Sequence, residues 1–552
     1  MDPASPFRNC RSSGPLAISC LLLLSLAAGC GVPGPAGPAD SFGVDFALPQ
    51  SALRHGAIVF VADGLNGRVV EEMLQAGELP ALKKYFVDRG LYAPRAVAST
   101  PSVTLANLTS LVTGLFPGHH GITGVNWFDR NQLIWRNYET IPQKNTLDGD
   151  YAASTIYELL NDELTFSLFF QPHRGATKFF ENWTSAGPPF FFGRYEYVDR
   201  LTLHRFNEAM GIARQYRRFP ALTVAYLLVP DFRAYGYGVS SPQYAEALRQ
   251  TDRQIGRLLG DVERAGLLDQ IVIALVSDHG MDDVRGHFDL KSHLSKQVGL
   301  KIGSTHWWEN DPFEERLRDH QKVTTIPYGS GDRYWALCMR KPIRKDGRVS
   351  GMEPWFERPS AEDLQAYPVR GGLANIPASL VEQQAVDAAA YACGPNRVRL
   401  RRRCGEVEFR QDGGRRAPIT FRVVSGADVL GWEGKVSSEA LKGRALDERQ
   451  WLQETIDTDY PDLPAQILSY FRAHRAGDMA VFAAPGWDFN NVNRAGHGGL
   501  RREDMLVPLM LAGPGVPHGR VEAARTVDLM PTLLKLLGRD VPPGLDGQAL
   551  VP

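Results

Sequence analysis

Continuous apolar runs of strand length recur in the first half of the chain, at residues 57–62, 224–229 and 271–276. A run that is apolar at every position is typical of a strand covered on both faces, as in the sheet of an α/β protein. Each run is followed within two residues by an aspartate. The pattern therefore predicts buried strands whose carboxyl ends carry acidic side chains.

Helical patterns separate these runs. Between Tyr244 and Gly260, apolar side chains recur at roughly helical spacing, which predicts an amphipathic helix. Strands that alternate with helices predict an α/β fold with a mostly parallel central sheet and helices on both faces. In such sheets the ligand site lies beyond the carboxyl ends of the strands, which is where the aspartates are expected.

The sequence pattern changes further along the chain. From about residue 285, turn signals, scattered charges and short strand-like pieces replace the regular alternation, which resumes at Met479. We expect the intervening residues to form an insertion that caps or flanks the sheet. The predicted segments are a signal peptide at 1–29, a Pro/Gly/Ala-rich tether at 30–55, the first part of the core at 56–284, the insertion at 285–477 and the completing part of the core at 478–552.

The N-terminus has the features of an export signal. Arg8 and Arg11 precede an apolar run, 16–28, that ends at Gly29-Cys30. This arrangement resembles a lipoprotein signal peptide, with Cys30 as the lipidated first mature residue. It predicts an exported protein that is anchored by lipid to a bacterial membrane, with the periplasmic face of the outer membrane favoured. An ordinary secretory signal or a short membrane anchor remains the alternative.

Composition narrows the class of protein. A chain of 552 residues that is 43% hydrophobic and 22% charged can bury a large core, which excludes a disordered or fibrous protein. The 61 basic and 62 acidic side chains nearly balance, so no overall field would recruit a nucleic-acid duplex. No CxxC pair occurs, which argues against a cysteine-built zinc site, whereas a bridge between Cys393 and Cys404 remains open.

Acidic and histidine residues at strand ends and in glycine-bounded loops are the candidate metal ligands. They are Asp63, Asp231, Asp278, His279 and His497. Singly, an aspartate before glycine is also a common turn residue. As a set, these side chains offer the oxygen and nitrogen ligands that suit zinc or a similar divalent ion. Two such ions could stabilise the attacking and departing oxygens of a phosphoryl transfer.

A threonine is the candidate nucleophile. Leu105, Leu108 and Leu111 share one helical face, so Thr104 is expected at or near the N-terminus of a helix, where free amides favour a developing anion. A threonine there could equally be a plain N-cap. A hydroxyl is a weak nucleophile unless a base or a metal ionises it, and the neighbouring acidic and histidine set could supply that metal.

Several motifs occur in a recognisable order. They are Asp63-Gly64, Thr113-Gly114, 117–122 (PGHHGI), Pro230-Asp231, 277–281 (SDHGM) and 496–498 (GHG). This order resembles the type I phosphodiesterase/nucleotide pyrophosphatase branch of the alkaline phosphatase superfamily. The resemblance covers about residues 56–284 and 478–552, and it implies an alkaline phosphatase-like fold with a flanking insertion that matches no motif.

The resemblance also implies roles for individual residues. Asp63, Thr104, Asp278 and His279 would hold one zinc ion, Asp231 and His497 would belong to a second, and Asn107 would hydrogen-bond a nonbridging phosphate oxygen. Thr104 would form a phosphoenzyme that water then hydrolyses. Preorganised donors and two cations would stabilise the charge on the transferring group.

One position departs from the family's pattern. Members usually have a histidine four residues after the middle aspartate, whereas this chain has Tyr235. A phenol has a pKa near ~10 and must lose its proton, helped by a cation, to become a strong ligand. We expect either that Tyr235 is a ligand or that the second metal is weakly held, different or absent.

The function expected is hydrolysis of a small-molecule phosphate ester, with a phosphodiester or pyrophosphate bond favoured. Phosphomonoesterase, phosphonate hydrolase and phosphotransferase activities are alternatives on the same scaffold, and a surface binding protein that has lost catalysis is an alternative of another class. A sulfatase-like C-x-P-x-R motif begins at Cys393. Because Cys393 lies far downstream of the first aspartate, sulfatase chemistry is not expected.

Overall fold

The computed structural model describes residues 43–48, 56–140, 143–181, 183–303, 311–490 and 492–552. The predicted signal peptide and Cys30 lie outside these described residues. Within them, no helix combines the length and the apolar content that crossing a bilayer would require.

A mixed, mostly parallel sheet of 9 strands forms the core. In spatial order it consists of Gly519–Arg520, Gly90–Val97, Leu506–Ala512, Ile271–Val276, Gly56–Ala62, Leu222–Leu227, Thr165–Leu168 and Lys178–Phe180, with Ala524–Arg525 also paired to Gly90–Val97. Strand Gly56–Ala62 is central and parallel to both of its neighbours, Leu222–Leu227 and Ile271–Val276. The three apolar runs of the sequence are therefore adjacent strands of one sheet.

Helices cover both faces of the core sheet, which confirms the predicted α/β architecture. Ile58 and Phe60 pack on one face, and Val59 and Val61 pack on the other, so the central strand is apolar at every position. The covering helices are Gly67–Gln75, Tyr195–Tyr216 and Pro242–Arg264 on the first face, and Thr104–Thr113, Ile156–Leu159 and Leu529–Leu536 on the second.

The remaining helices are shorter or lie away from the sheet faces. They are Pro80–Leu82, Pro117–His120, Trp183–Phe191, Val229–Tyr237, Leu290–Ser292, Phe313–His320, Ala361–Gln365, Ile376–Val381, Ser438–Leu441, Glu448–Thr455, Leu463–Tyr470 and Arg502–Met505. One residue separates the helix Val229–Tyr237 from the end of the strand Leu222–Leu227, so the helix starts at the carboxyl edge of the core sheet.

The insertion contains a second sheet of 7 strands, all paired antiparallel. In spatial order these are Thr325–Ser330, Tyr334–Met339, Met479–Ala483, Val386–Gly394, Arg397–Arg402, Gly405–Arg410 and Thr420–Gly426. We call this the insertion sheet.

The strand Met479–Ala483 corrects the predicted segment boundary at residue 478. It lies inside the insertion sheet, between Tyr334–Met339 and Val386–Gly394, and not in the core sheet. Ala480 and Phe482 pack on one face of it, whereas Met479 and Val481 pack on the other. A strand buried on both faces has the same continuous apolar pattern in either sheet, which is why the pattern suggested the core.

Two short pairings involve the segment 495–497, and the first of them joins the insertion to the carboxyl edge of the core sheet. Asp332 forms an isolated parallel bridge with His497, and Asp282–Asp283 pairs antiparallel with Ala495–Gly496. Cys338, Cys393 and Cys404 are free thiols, so the bridge that the sequence left open between Cys393 and Cys404 is not formed.

Candidate active site

The predicted ligands converge at the carboxyl edge of the core sheet. Asp63 directly follows the strand Gly56–Ala62, Asp278 is the second residue after the strand Ile271–Val276, and Asp231 lies in the first turn of the helix Val229–Tyr237. All three carboxylates are buried, with relative exposures of 3%, 0% and 4% for Asp63, Asp278 and Asp231. Parallel neighbouring strands therefore bring Asp63 and Asp278 together, although they are more than 200 positions apart in the chain.

Asp63, Asp278 and His279 form the first cluster, with one ligand atom from each lying within 4.8 Å of the others. His279 Nε2 is 3.2 Å from Asp63 Oδ1 and 3.4 Å from Asp278 Oδ2. Thr104 Oγ1 lies 3.1 Å from the same nitrogen. The predicted nucleophile therefore contacts His279, one of the predicted ligands of the first ion.

The hydrogen bonds of the first cluster leave lone pairs facing one another. His279 Nδ1 donates to the carbonyl oxygen of Gly280 at 3.1 Å, so Nε2 of the neutral ring carries no proton. Burial lowers the pKa of His279 well below its ordinary value. Asp63 Oδ1 and Asp278 Oδ2 are buried without a hydrogen-bond partner among the described residues. Facing acceptor atoms repel one another unless a proton or a cation lies between them, so the first cluster fits a cation.

Asp231, His279 and His497 form the second cluster, again with ligand atoms within 4.8 Å of one another. The rings of His279 and His497 are stacked at 3.6 Å with an interplanar angle of 9°. His497 Nδ1 donates to the carbonyl oxygen of Ser102 at 2.8 Å, so its Nε2 is free to coordinate. Burial lowers the pKa of His497 to about 4, and Asp231 Oδ1 has no hydrogen-bond partner within the described ranges.

Burial and mutual repulsion raise the pKa values of the carboxylates in both clusters. Burial raises the pKa of Asp63 to about 6. Burial and the neighbouring Asp63 charge raise the pKa of Asp231 and Asp278 well above the ordinary value. Strongly perturbed acids that lie together at a sheet edge are typical of functional sites, and divalent cations would relieve their repulsion.

Tyr235 lies beside the second cluster. Its ring centroid is 5.8 Å from that of His497. Burial and the charges of Asp231 and Asp332 raise the pKa of the phenol well above its ordinary value, so Tyr235 keeps its proton unless a cation displaces it. Its assignment as a ligand stays a prediction.

The contacts of Thr104 separate it from an ordinary helix cap. The helix Thr104–Thr113 has Val103 as its N-cap residue, with extended backbone and no side-chain cap hydrogen bond. Thr104 is the first helical residue, and its hydroxyl faces His279 instead of the backbone amides. The first-turn amides therefore remain available to an anion.

Asn107, the predicted phosphate contact, hydrogen-bonds to the backbone around Thr104. Its Oδ1 accepts from the amide of Ser99 at 2.6 Å. Its Nδ2 lies 3.1, 3.0 and 3.2 Å from the carbonyl oxygens of Ser99, Pro101 and Val103. The side chain is fully buried, and these hydrogen bonds brace the backbone that leads to Thr104. The contact of Asn107 with a phosphate oxygen stays a prediction.

Two supporting residues were missed by sequence reasoning. The hydroxyl of Tyr226 donates to Asp63 Oδ2, and Asp199 accepts from the amides of Leu228 and Val229 at 2.9 and 3.2 Å. Asp199 thereby holds the start of the helix that carries Asp231. Tyr226 carries the only side-chain hydroxyl of the apolar run 224–229, which is a usable signal, whereas no local pattern distinguishes Asp199.

Comparison with known proteins finds the same family that the sequence motifs resemble. A sequence profile of the type I phosphodiesterase / nucleotide pyrophosphatase family matches residues 57–328. Ectonucleotide pyrophosphatase/phosphodiesterase family member 1 of Mus musculus is 25% identical over 243 residues, which cover 44% of this chain and 25% of that protein. Ectonucleotide pyrophosphatase/phosphodiesterase 2 of Saccharomyces cerevisiae is 25% identical over 211 residues, covering 35% of this chain and 41% of that protein. The matches thus span less than half the length of these relatives.

Proposed function

Over residues 57–328 the chain belongs to the type I phosphodiesterase/nucleotide pyrophosphatase family, and we propose that it hydrolyses phosphate esters with divalent metal ions and Thr104 as nucleophile. The substrate class that we favour is a small-molecule phosphodiester or pyrophosphate. The observation that carries the proposal is the contact of 3.1 Å between Thr104 Oγ1 and His279 Nε2, next to carboxylate oxygens that lack hydrogen-bond partners.

The donor set supports a site for two cations. Asp63, Thr104, Asp278 and His279 would hold the first ion, and Asp231, His497 and Tyr235 would hold the second. These ions, which we expect to be zinc, would supply positive charge beside the attacking and departing oxygens. The imidazole lone pairs are already directed by hydrogen bonds to backbone carbonyls, which is the usual way that metal-binding histidines are oriented.

The reaction proposed proceeds through a covalent threonine ester. The Thr104 oxygen attacks phosphorus, the bond between phosphorus and the departing oxygen breaks, and the proton of the threonine passes through solvent to that oxygen, which leaves as an alcohol. Water then attacks phosphorus, the bond to Thr104 breaks, and a proton released by the water restores the threonine hydroxyl. The net change consumes one water and yields an alcohol and a phosphomonoester. The amides at the start of the helix Thr104–Thr113 would donate to the negatively charged phosphoryl oxygens.

The charges around the second cluster favour a diester over a monoester. The charges that act on Asp231 are those of other carboxylates, Asp63, Asp332 and Glu139. A phosphomonoester carries close to two negative charges at neutral pH, whereas a diester carries one. We therefore expect stronger repulsion of a monoester. Phosphomonoesterase, phosphonate hydrolase and phosphotransferase activities remain the alternatives.

Metal content and substrate preference test this proposal together. The full chain, purified, should contain up to two zinc ions and should hydrolyse bis-p-nitrophenyl phosphate faster than p-nitrophenyl phosphate. A preference for p-nitrophenyl phosphate would favour the phosphomonoesterase alternative. Protein without bound metal and without turnover of either ester would support a surface binding protein that has lost catalysis.

We also propose that the protein is exported and anchored by lipid at Cys30. The basic N-terminus, the apolar run and Gly29-Cys30 support this. Replacing Cys30 by serine should move the protein from the membrane fraction to the soluble fraction of a bacterial host, and an unchanged distribution would contradict the lipid anchor.

A further inference from the structure

A turn of the insertion, Gly331–Arg333, contacts the backbone of His497 on both sides. The amide of His497 donates to the carbonyl oxygen of Gly331 at 2.8 Å, and the amide of Arg333 donates to the carbonyl oxygen of His497 at 3.0 Å. Asp332 is the bridge partner of His497 in this pairing. The position of His497 therefore depends on the insertion as well as on the core.

Gly331 also contacts the imidazole ring. A Cβ atom at position 331 would lie 2.6 Å from both Cε1 and Nδ1 of His497, and the backbone has a φ of +69°. Contacts below 3 Å require a shift of one partner, and a left-handed φ favours glycine. On the ring itself, Nδ1 is held by the carbonyl oxygen of Ser102 at 2.8 Å. The absent side chain of Gly331 thus leaves the space that this ring orientation needs.

Arg333 fixes the turn to the core. Its side chain is fully buried, and its Nη1 lies 2.7 Å from Asp282 Oδ2 and 3.2 Å from Asp504 Oδ2. Asp282 is paired in turn with Gly496, next to His497. A buried, paired guanidinium is costly to separate from its partners, so the turn has little freedom to move away from His497.

Asp332 ties the turn to the segment that precedes His497. Its carboxylate accepts hydrogen bonds from the side-chain amides of Asn490, at 3.0 Å, and Asn493. Asn493 lies four residues before His497, so these hydrogen bonds hold the start of the segment that carries His497.

We propose that the turn Gly331–Arg333 is a positioning element of the second cation site. Gly331 sets the ring of His497, and Asp332 ties the turn to Asn490 and Asn493, which precede His497 in the chain. The turn lies beyond residue 328, where the family match ends. The insertion is therefore part of the metal centre and not only a flanking subdomain. This inference rests on the second cation site of the proposed function.

The chain offers matched control positions in another turn of the insertion. Asp346 and Gly347 connect the strands Pro342–Lys345 and Arg348–Met352, with φ values of 50° and 76° that resemble the 67° of Asp332 and the 69° of Gly331. A Cβ atom on Gly347 would meet nothing within 4 Å, and Asp346 is exposed. Gly347→Ala and Asp346→Asn therefore reproduce the backbone strain and the charge change without contact with His497.

The experiment measures zinc binding to the full chain by equilibrium dialysis against buffered free zinc. We expect Gly331→Ala to weaken the second ion at least about 10-fold, the lower range for loss of a ligand-orienting contact, and to leave the first ion unchanged. Asp332→Asn should weaken the second ion several-fold. Gly347→Ala and Asp346→Asn should bind both ions as the unsubstituted chain does.

The outcomes separate this inference from the proposed function. Folded Gly331→Ala and Asp332→Asn proteins with unchanged affinity for both ions would overturn the inference alone. If Gly331→Ala does not fold, as judged by circular dichroism, the zinc affinities of Asp332→Asn and Asp346→Asn test the inference in its place. An unsubstituted chain that binds no cation at either cluster would overturn the proposed function as well.

Discussion

The hydroxyl of Tyr226 donates a hydrogen bond to Oδ2 of Asp63. The other oxygen of this carboxylate, Oδ1, is buried without a hydrogen-bond partner among the described residues and lies 3.2 Å from His279 Nε2. Asp63 is therefore held at one oxygen by the protein and presents the other to the first cluster. Residues that hydrogen-bond to a metal ligand in this way orient the ligand and contribute strongly to the metal affinity.

Replacing Tyr226 by phenylalanine should weaken the first ion. The substitution removes the hydrogen bond to Asp63 and keeps the ring, so we expect a loss of about 10-fold in zinc affinity. Competition with a zinc chelator measures it. Tyr216 is 60% exposed at the end of the helix Tyr195–Tyr216, and Tyr216→Phe is the matched control. Equal affinities for the two variants would show that Tyr226 does not orient Asp63.

Replacing Tyr235 by histidine should strengthen the second ion. The pKa of the phenol is raised well above its ordinary value, so binding a cation through Tyr235 requires removal of a tightly held proton. An imidazole binds zinc in its neutral form. Titration calorimetry of Tyr235→His should show a tighter second site at pH 7. An unchanged second site would mean that position 235 does not contribute a ligand.

Cation affinity should rise with pH from about 5 to 8. In the metal-free protein the pKa of Asp63 is about 6, so below that pH a cation must displace a proton, at a cost of about tenfold in affinity per pH unit. The pKa values of Asp231 and Asp278 are raised further, which extends the pH dependence of the cation affinity to higher pH. His497, with a pKa of about 4, stays neutral throughout this range. Calorimetry at each pH measures the trend, and a flat profile would contradict it.

The same pKa shift predicts how the metal-free fold responds to pH. Between about pH 4, the ordinary range of an aspartate, and a pH of about 6, folded Asp63 holds a proton that the unfolded chain has released. The contribution of Asp63 to stability is therefore lost as the pH rises through this window. Zinc should raise the unfolding temperature more at pH 8 than at pH 5, as scanning calorimetry would show.

Replacing Asn107 by alanine should destabilise the protein. The side chain makes buried hydrogen bonds to the backbone of Ser99, Pro101 and Val103, and their loss should cost about 2–3 kcal/mol. Thermal unfolding measures the change, with the exposed Asn131→Ala as control. A substitution that left stability intact and raised only the KM would instead support the phosphate contact suggested by the family resemblance.

The fold and the meeting of Asp63, Asp278 and His279 were predictable because parallel strands end at one sheet edge. That rule needs only the apolar runs and the residues that follow them. The direction of a side chain needs more: the spacing of Asn107 put it on the helix of Thr104 but could not show that its amide turns back to residues 99–103. Contacts between distant segments, such as Gly331 with His497, have no local pattern at all.

Trapping the covalent intermediate tests the central claim most directly. The full chain would be mixed with bis-p-nitrophenyl phosphate and zinc, quenched in acid within milliseconds, digested and analysed by mass spectrometry. We predict a p-nitrophenyl phosphoryl group on Thr104, and a Thr104→Ala variant that still binds zinc but is slower by on the order of 10³-fold or more. A Thr104→Ala variant that hydrolyses the diester as fast as the unsubstituted chain would contradict the assignment of Thr104 as the nucleophile.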